Sequence, residues 1–424
     1  MLIEFSVTNF KSVKTQQTFS MTKAKGDELV ECNSFQPEGM NRLSLLRSAS
    51  IYGANAAGKS NFIDAMRTMK RIVTDSATDK RRGDKLPVTP FKLDQKTRKS
   101  ATEFEVIFIS AGVRYQYGFA ATTERIVEEW LIAFPKGRAQ QWYARLWDTK
   151  KNKYKWEMGN ALQGKKQLWQ ESTRSNALFL STAVQLNSQQ FQPVFDWFDV
   201  ILQTTTVTGW NPGFTASLCS DPENKLKVLN LLVAADVDIQ DVNLKKKVFD
   251  KNDLPDNLPE ELKTRLAVEM EGEEIIDELQ MMHRDSTGAL IAFDFSEESD
   301  GTQKLFSFSG PWLDTLENGN ILFVDELHDN LHPRLVQFLV ELFHSNETNP
   351  NNAQLVFTTH ETTILNQEVF RRDQIWFCEK RDDHATAVYP LTDFSPRKGR
   401  ENLELSYLAG RYGAVPYVRK LKIV

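Results

Sequence analysis

The sequence predicts an α/β fold: a mixed β-sheet core flanked by helices, joined by a small antiparallel β subdomain and a helical insertion. Three observations predict it. In "SIYGANAAGKSNF" (50–62) a short apolar segment runs into a glycine-rich loop and then into a helical stretch. "NILFVDE" (320–326) and "AQLVFTTH" (353–360) are continuous apolar runs of the kind buried on both faces of a parallel sheet. "TEFEVIFI", "VRYQYGFAA" and "EEWLIAF" follow one another as short strands separated by turn residues.

In chain order, Ile3, Phe5 and Val7 alternate with Glu4, Ser6 and Thr8, the period of a half-buried strand. A second strand over roughly 47–52 feeds the loop, and Phe62, Met66, Met69 and Val73 recur behind it at helical spacing. The charged loop "DKRRGDKLP" (79–87) breaks the pattern, and strands fill the chain to about residue 160. From about 171 to 285 the spacing turns helical, in "NALFLSTAVQLN", "QPVFDWFDVIL" and "ENKLKVLNLLVAADV". Within that region "DKNDLPDNLPEEL" (250–262) reads as a mobile connection. A strand at "ALIAFDF", a helix and the two apolar runs complete the chain. The expected division is 1–170, 171–285 and 286–424.

The 424 residues carry a formal net charge of -5 and are 41% hydrophobic, an ordinary globular composition. No apolar run reaches the roughly 18 residues of a membrane span, and "MLIEFSVTNFKS" lacks the regions of a signal peptide, so a cytoplasmic protein without a membrane partner is expected. Cys32, Cys219 and Cys378 have no paired spacing and are expected to be buried thiols.

Gly53, Gly58, Lys59 and Ser60 fit G-x4-G-K-[ST]. In such a loop, Gly53-Ala54-Asn55-Ala56-Ala57-Gly58-Lys59-Ser60-Asn61, the backbone curls so that its amides converge on phosphate oxygens. Lys59 reaches the β and γ phosphates and the Ser60 hydroxyl ligates Mg²⁺. Asp325 and Glu326 leave the end of an apolar strand, where ligands bind in open α/β sheets. There Asp325 is the second candidate ligand for Mg²⁺ and Glu326 the candidate base that polarises the attacking water. His360 ends the next apolar strand and is the third catalytic candidate, with Lys59 and Glu326. The other histidines, His283, His328, His332, His344 and His384, read as packing or surface residues. Basic runs at 80–82, 245–247 and Arg397-Lys398-Arg400 read as solvated faces, and Trp169, Trp197 and Trp210 as core.

These residues, in this order, resemble the ABC class of P-loop ATPases, in its branch similar to the structural-maintenance-of-chromosomes proteins and grouped with AAA ATPases. "SDGTQ" (299–303) is similar to the signature stretch of that class. The resemblance implies that Ser299, Gly301 and Gln303 bind the nucleotide held by Lys59 of a partner copy, so that ATP, or GTP, lies between the two chains of a homodimer or higher homo-oligomer. Gln95 and Gln116 are the candidates for the lid-loop glutamine. "NFKS" (9–12), "PFKL" (90–93), "NALFLS" (176–181), "RRDQIWF" (371–377) and "YLAGRYGAVP" (407–416) extend the likeness to the stand-alone ATPases of restriction, abortive-infection, RloA-like, PARIS-like, Septu-like and retron defence modules. After the acidic pair, relatives tend to read Ile-Asp-x-Ser-Leu-His-Pro, whereas this chain has Leu327-His328-Asp329-Asn330-Leu331-His332-Pro333.

The resemblance implies an ATP-hydrolysing switch that works with a separate effector, a TOPRIM or HNH nuclease. Two other readings stand beside it: a RecF-like repair clamp that binds duplex DNA directly, and the motor subunit of a membrane transporter. The stretch between 75 and 290 has no sustained heptads for coiled-coil arms, and with 64 residues after His360 a nuclease domain on the same chain is not expected.

Overall fold

The computed structural model describes residues 1–205, 211–254, 260–399 and 401–417. They form two compact units, one comprising Met1–Val207, Thr315–Asp329 and Val336–Val424, the other Thr208–Asp314 and Asn330–Leu335. The fold is mixed α/β, as the sequence predicts.

The first unit opens with strands β1 (Leu2–Thr8) and β2 (Gln17–Ser20), the short helix α1 (Val30–Asn33), and the two-stranded ribbon β3 (Ser34–Phe35) and β4 (Leu45–Leu46). Strand β5 (Ser48–Tyr52) then leads into helix α2 (Lys59–Asp75). An antiparallel meander follows: β6 (Thr102–Ser110), β7 (Val113–Ala121), β8 (Ile126–Phe134), β9 (Gln140–Asp148) and β10 (Lys153–Met158). Helices α3 (Lys166–Ser172), α4 (Phe179–Gln185) and α5 (Gln192–Asp196), with one π-helical turn, lead to β11 (Leu202–Thr204).

Two sheets result. The seven-stranded sheet runs β10-β9-β8-β7-β6-β1-β2 and is antiparallel throughout. Its core face packs on α2: Phe5 and Phe19 meet the Phe62 ring edge-on at 5.6 and 6.0 Å. The other face of that helix completes one continuous core with Ile51, Phe323 and Val356. The apolar residues of α2 therefore have a layer on each side, which is why Phe62, Met66 and Met69 are all fully buried.

On the same core face, where β8 pairs with β9, lies a fully buried ion pair. Glu129 Oε2 and Arg145 Nη2 are 2.7 Å apart, with neither side chain exposed. Tyr143 and Tyr117 donate to Glu129 Oε1 at 2.6 and 3.2 Å, and the amides of Phe179 and Leu180 donate to the carboxylate at 2.8 and 3.1 Å. The start of α4, inside "NALFLS", is thereby tied to the meander.

In the second unit, helices α6 (Gly213–Leu218) and α7 (Pro222–Ala234) precede β12 (Asp241–Val248). Helix α8 (Glu260–Glu269) precedes β13 (Glu274–Arg284) and β14 (Leu290–Asp294), which join β12 in a three-stranded antiparallel sheet. The helical reading of 171–285 needs correction here, because β12 and β13 lie inside it. The 245–247 lysines that read as a basic run stand on β12 and pair across the sheet, with Glu278, Glu274 and Asp277. The connection read at 250–262 includes residues 255–259, which lie outside the described residues, as does Trp210.

Helix α9 (Asp300–Asn318) leads to β15 (Ile321–Val324); helix α10 (Pro333–His344), β16 (Gln354–Thr358), β17 (Ile375–Lys380), β18 (Thr386–Pro390) and helix α11 (Leu403–Leu408) follow. The six-stranded sheet runs β11-β15-β16-β5-β17-β18, parallel except for the last pair. Its central strands are buried along their whole length, as the apolar runs predict. Among the described residues, no helix is long and apolar enough to cross a membrane. Cys219 and Cys378 are buried but Cys32 is exposed, which corrects the expectation for all three: Cys32 sits on the four-residue α1.

Candidate functional site

The loop between β5 and α2 is shaped by what lies under it. Gly53 approaches β17 so closely that a Cβ would collide with the Cys378 carbonyl. Gly58 has φ 106°, and a Cβ there would collide with Thr386 Oγ1. Both positions therefore demand glycine. Thr386 Oγ1 donates to the Ala57 carbonyl at 2.8 Å and lies 2.8 Å from Ser12 Oγ, which also accepts from Asn61 Nδ2 at 2.8 Å. Ser12, from "NFKS", and Thr386, on β18, thus form the floor of the loop. Sequence reasoning assigned neither of them a place, although "NFKS" was a signal.

Lys59, the first residue of α2, is only 5% exposed. Its ammonium donates to the carbonyls of Gly53 at 2.9 Å and Ala54 at 3.2 Å, and to His360 Nε2 at 2.9 Å. All three acceptors are neutral. Burial pushes the Lys59 ammonium below its ordinary range, with Cys378, Glu326 and Asp325 acting in the opposite direction.

His360 lies just past β16. Burial, then the Lys59 charge and His328, press its imidazole down to about 4, against the pull of Asp325. It is therefore neutral near pH 7. Because an ammonium can only donate, Nε2 must be the acceptor, which places the ring proton on Nδ1. His328, read from sequence as a packing or surface residue, stands here instead: its ring meets that of His360 at 5.4 Å, and its Nδ1 lies 3.4 Å from the His360 amide.

The acidic pair leaves β15 beside them. Asp325 is 7% exposed and its Oδ1 accepts from Thr358 Oγ1 at 2.6 Å. Glu326 turns through φ 53°, and its amide donates to the same Thr358 oxygen at 2.8 Å. A cleft of ≈ 440 Å³ is lined by Asn55, Ala56, Gly58, Lys59, Ser60, Asn61, Glu326 and His360. The structure thus brings together the loop, Glu326 and His360, residues up to 305 positions apart in sequence.

In the second unit, Ser299 precedes α9. Its Oγ accepts from the Thr302 amide at 3.2 Å, an N-cap contact, and Gln303 Nε2 donates to the Glu298 carbonyl at 2.7 Å. Gly301 lies in the first turn, where a Cβ would stand 3.1 Å from the Asn330 carbonyl. Of the lid-loop candidates, Gln116 is engaged on β7 with Glu105 Oε2 at 3.0 Å, and Gln95 is exposed. Trp169 and Trp197 are core residues. Lys398 pairs with Asp27, and Arg400 lies outside the described residues.

The oxygen donors expected to hold Mg²⁺, the Ser60 hydroxyl and the Asp325 carboxylate, are hard ligands of the type that ion takes. The buried Lys59 cation among neutral partners suits an anionic ligand. Both features fit a nucleotide phosphate with its metal.

No curated protein matches the chain. Several solved structures resemble it distantly. The SMC head domain from Thermotoga maritima has 11% identity and a TM-score of 0.39, covering 92% of this chain and 98% of that one. The Smc head bound to a ScpA domain, from Pyrococcus furiosus, has 11% identity and a TM-score of 0.35, covering 92% and 96%. The recombination mediator RecF with ATP has 13% identity and a TM-score of 0.35, covering 92% and 99%. A family model matches residues 48–366, most of the chain, from the strand before the loop to just past His360. The protein belongs to the family described as "AAA domain, putative AbiEii toxin, Type IV TA system".

Proposed function

We propose that the chain is an ATPase that binds ATP at the Gly53–Asn61 loop, hydrolyses it in a site completed by a second copy, and uses the cycle as a switch in an anti-phage complex with a separate effector nuclease. One observation carries the nucleotide reading: a buried ammonium, Lys59, whose hydrogen-bond partners among the described residues are neutral, faces a cleft that also holds Glu326 and His360. In this reading the loop amides hold the phosphates, and the Lys59 charge stabilises the β- and γ-phosphate oxygens as the bond from the γ phosphorus to its bridging oxygen breaks and ADP leaves. Glu326 takes a proton from the attacking water, and the neutral His360 orients that water or the terminal phosphate. Mg²⁺, when bound by Ser60 and Asp325, supplies charge neutralisation at the phosphates.

The second copy enters through Ser299 and Gly301: Ser299 caps the long helix α9 and Gly301 lies in its first turn, the helix end that favours an anion. The family description, which names a putative AbiEii toxin and a Type IV TA system, supports the defence setting. Direct binding of duplex DNA finds less support, since the lysines at 245–247 and Lys398 already pair with carboxylates.

Phosphate release by the purified chain tests the proposal. Mg²⁺-dependent turnover that disappears in Lys59→Ala is expected; an inactive wild type that binds no nucleotide would overturn it. Affinity capture of the tagged chain from its native host tests the switch role: a co-purifying nuclease is expected, and salt-sensitive, ATP-dependent DNA binding without any partner would favour the clamp instead.

A further inference from the structure

Thr358, the last residue of β16, is fully buried and holds the neighbouring strand exit at three points. Its hydroxyl donates to Asp325 Oδ1 at 2.6 Å and accepts from the Glu326 amide at 2.8 Å, while its carbonyl accepts from the Leu327 amide at 3.1 Å. The regular pairing of β15 with β16 ends one step earlier, at Val324 and Phe357. Beyond that step the ladder is replaced by a side chain. Glu326 there adopts φ 53°, a left-handed conformation that residues with a Cβ, Asn and Asp apart, seldom take unless their surroundings hold them there. The bond from its amide to Thr358 supplies that enforcement.

We propose that Thr358 is the positioning residue of the site: its one hydroxyl fixes the Asp325 carboxylate and holds Glu326 in the turn that presents its side chain to the cleft beside Lys59, Ser60 and His360. The inference rests on the ATPase reading above. Thr358 does not line the cleft and acts through the two acidic residues it holds. A valine would fill the same space without the hydroxyl, so shape and hydrogen bonding can be separated.

The experiment compares wild type, Thr358→Val and Thr358→Ser by binding of a fluorescent ATP analogue, in EDTA and in Mg²⁺, and by steady-state hydrolysis. T358V should bind like wild type in EDTA, lose the gain in affinity that Mg²⁺ brings, so that KM measured in Mg²⁺ rises by that same factor, and fall about 10- to 100-fold in kcat. T358S should restore both properties to within about threefold of wild type, because it keeps the donor and acceptor. A T358V protein with the wild-type Mg²⁺ gain and kcat overturns the inference, as does a T358S protein as impaired as T358V. Should T358V fail to fold, Thr358→Cys takes its place: a weaker donor at the same position should give a partial loss of both properties, and no loss overturns the inference. A wild type that binds no nucleotide sinks the ATPase reading as well, whereas active wild type with an indifferent T358V sinks the inference alone.

Discussion

Lys59 Nζ and His360 Nε2 are 2.9 Å apart, and the geometry makes the histidine the acceptor. The ammonium is thus held by acceptors of the chain itself. Lys59→Ala should weaken ATP binding about 10- to 100-fold, the worth of one or two charge-assisted hydrogen bonds. His360→Ala should leave affinity within about threefold and lower turnover at least about tenfold, since a group that orients the reacting atoms contributes mainly in the transition state. Equilibrium binding and steady-state rates, measured together, separate the two.

Glu326→Gln keeps the size of the side chain and removes its basicity. Turnover should fall about 100-fold or more while ATP still binds. The chain should then accumulate as an ATP-bound dimer, visible as a doubling of mass by light scattering. Unchanged turnover would remove Glu326 as the base.

The Glu129–Arg145 pair is a matter of stability. Removing one partner leaves a buried charge uncompensated, so Glu129→Ala should cost about 3–5 kcal/mol of folding free energy. Changing both residues, to Gln and Met, should cost less than the single change. Denaturant unfolding of the two variants checks this, and a single change as mild as the double would show that the buried charge is compensated otherwise.

His344 is buried, 2.7 Å from Ser48 Oγ, and burial with the nearby Arg47 charge holds its imidazole down to about 3. A base whose folded pKa lies below its unfolded value gives stability that is present above pH 6.5 and is lost as the pH falls through 6.5 toward 3. His360, depressed to about 4, adds the same sign over 6.5 to 4. His344→Gln should flatten the decline of stability between pH 6 and 4.5 by up to one proton, about 1.4 kcal/mol per pH unit. Unfolding midpoints across that range measure it.

What could be read in the sequence was what lies together in the chain. The loop from Gly53 to Asn61, the strand ending at Asp325-Glu326 and the strand before His360 are each local patterns, and their flanks fix their place in an α/β sheet. Partners set by folding left no such mark. Ser12 and Thr386 meet under the loop from opposite ends of the chain, and Glu129 finds Arg145 only because β8 pairs with β9. His328 looked like any surface histidine until the exits of β15 and β16 brought it against His360. The strands at 241–248 and 274–284 were hidden because their charged residues pair across the sheet and interrupt the apolar alternation.

The most direct measurement mixes two inactive chains, one carrying Lys59→Ala and the other Ser299→Arg. If each site takes its loop from one copy and its signature from the other, a mixed dimer carries both defects in one site and leaves the second intact. An equal mixture should regain roughly a quarter of wild-type ATP turnover, since about half the dimers are mixed and each has one working site. A mixture as inactive as its components, or a Ser299→Arg chain that hydrolyses ATP at the wild-type rate by itself, would contradict the shared site.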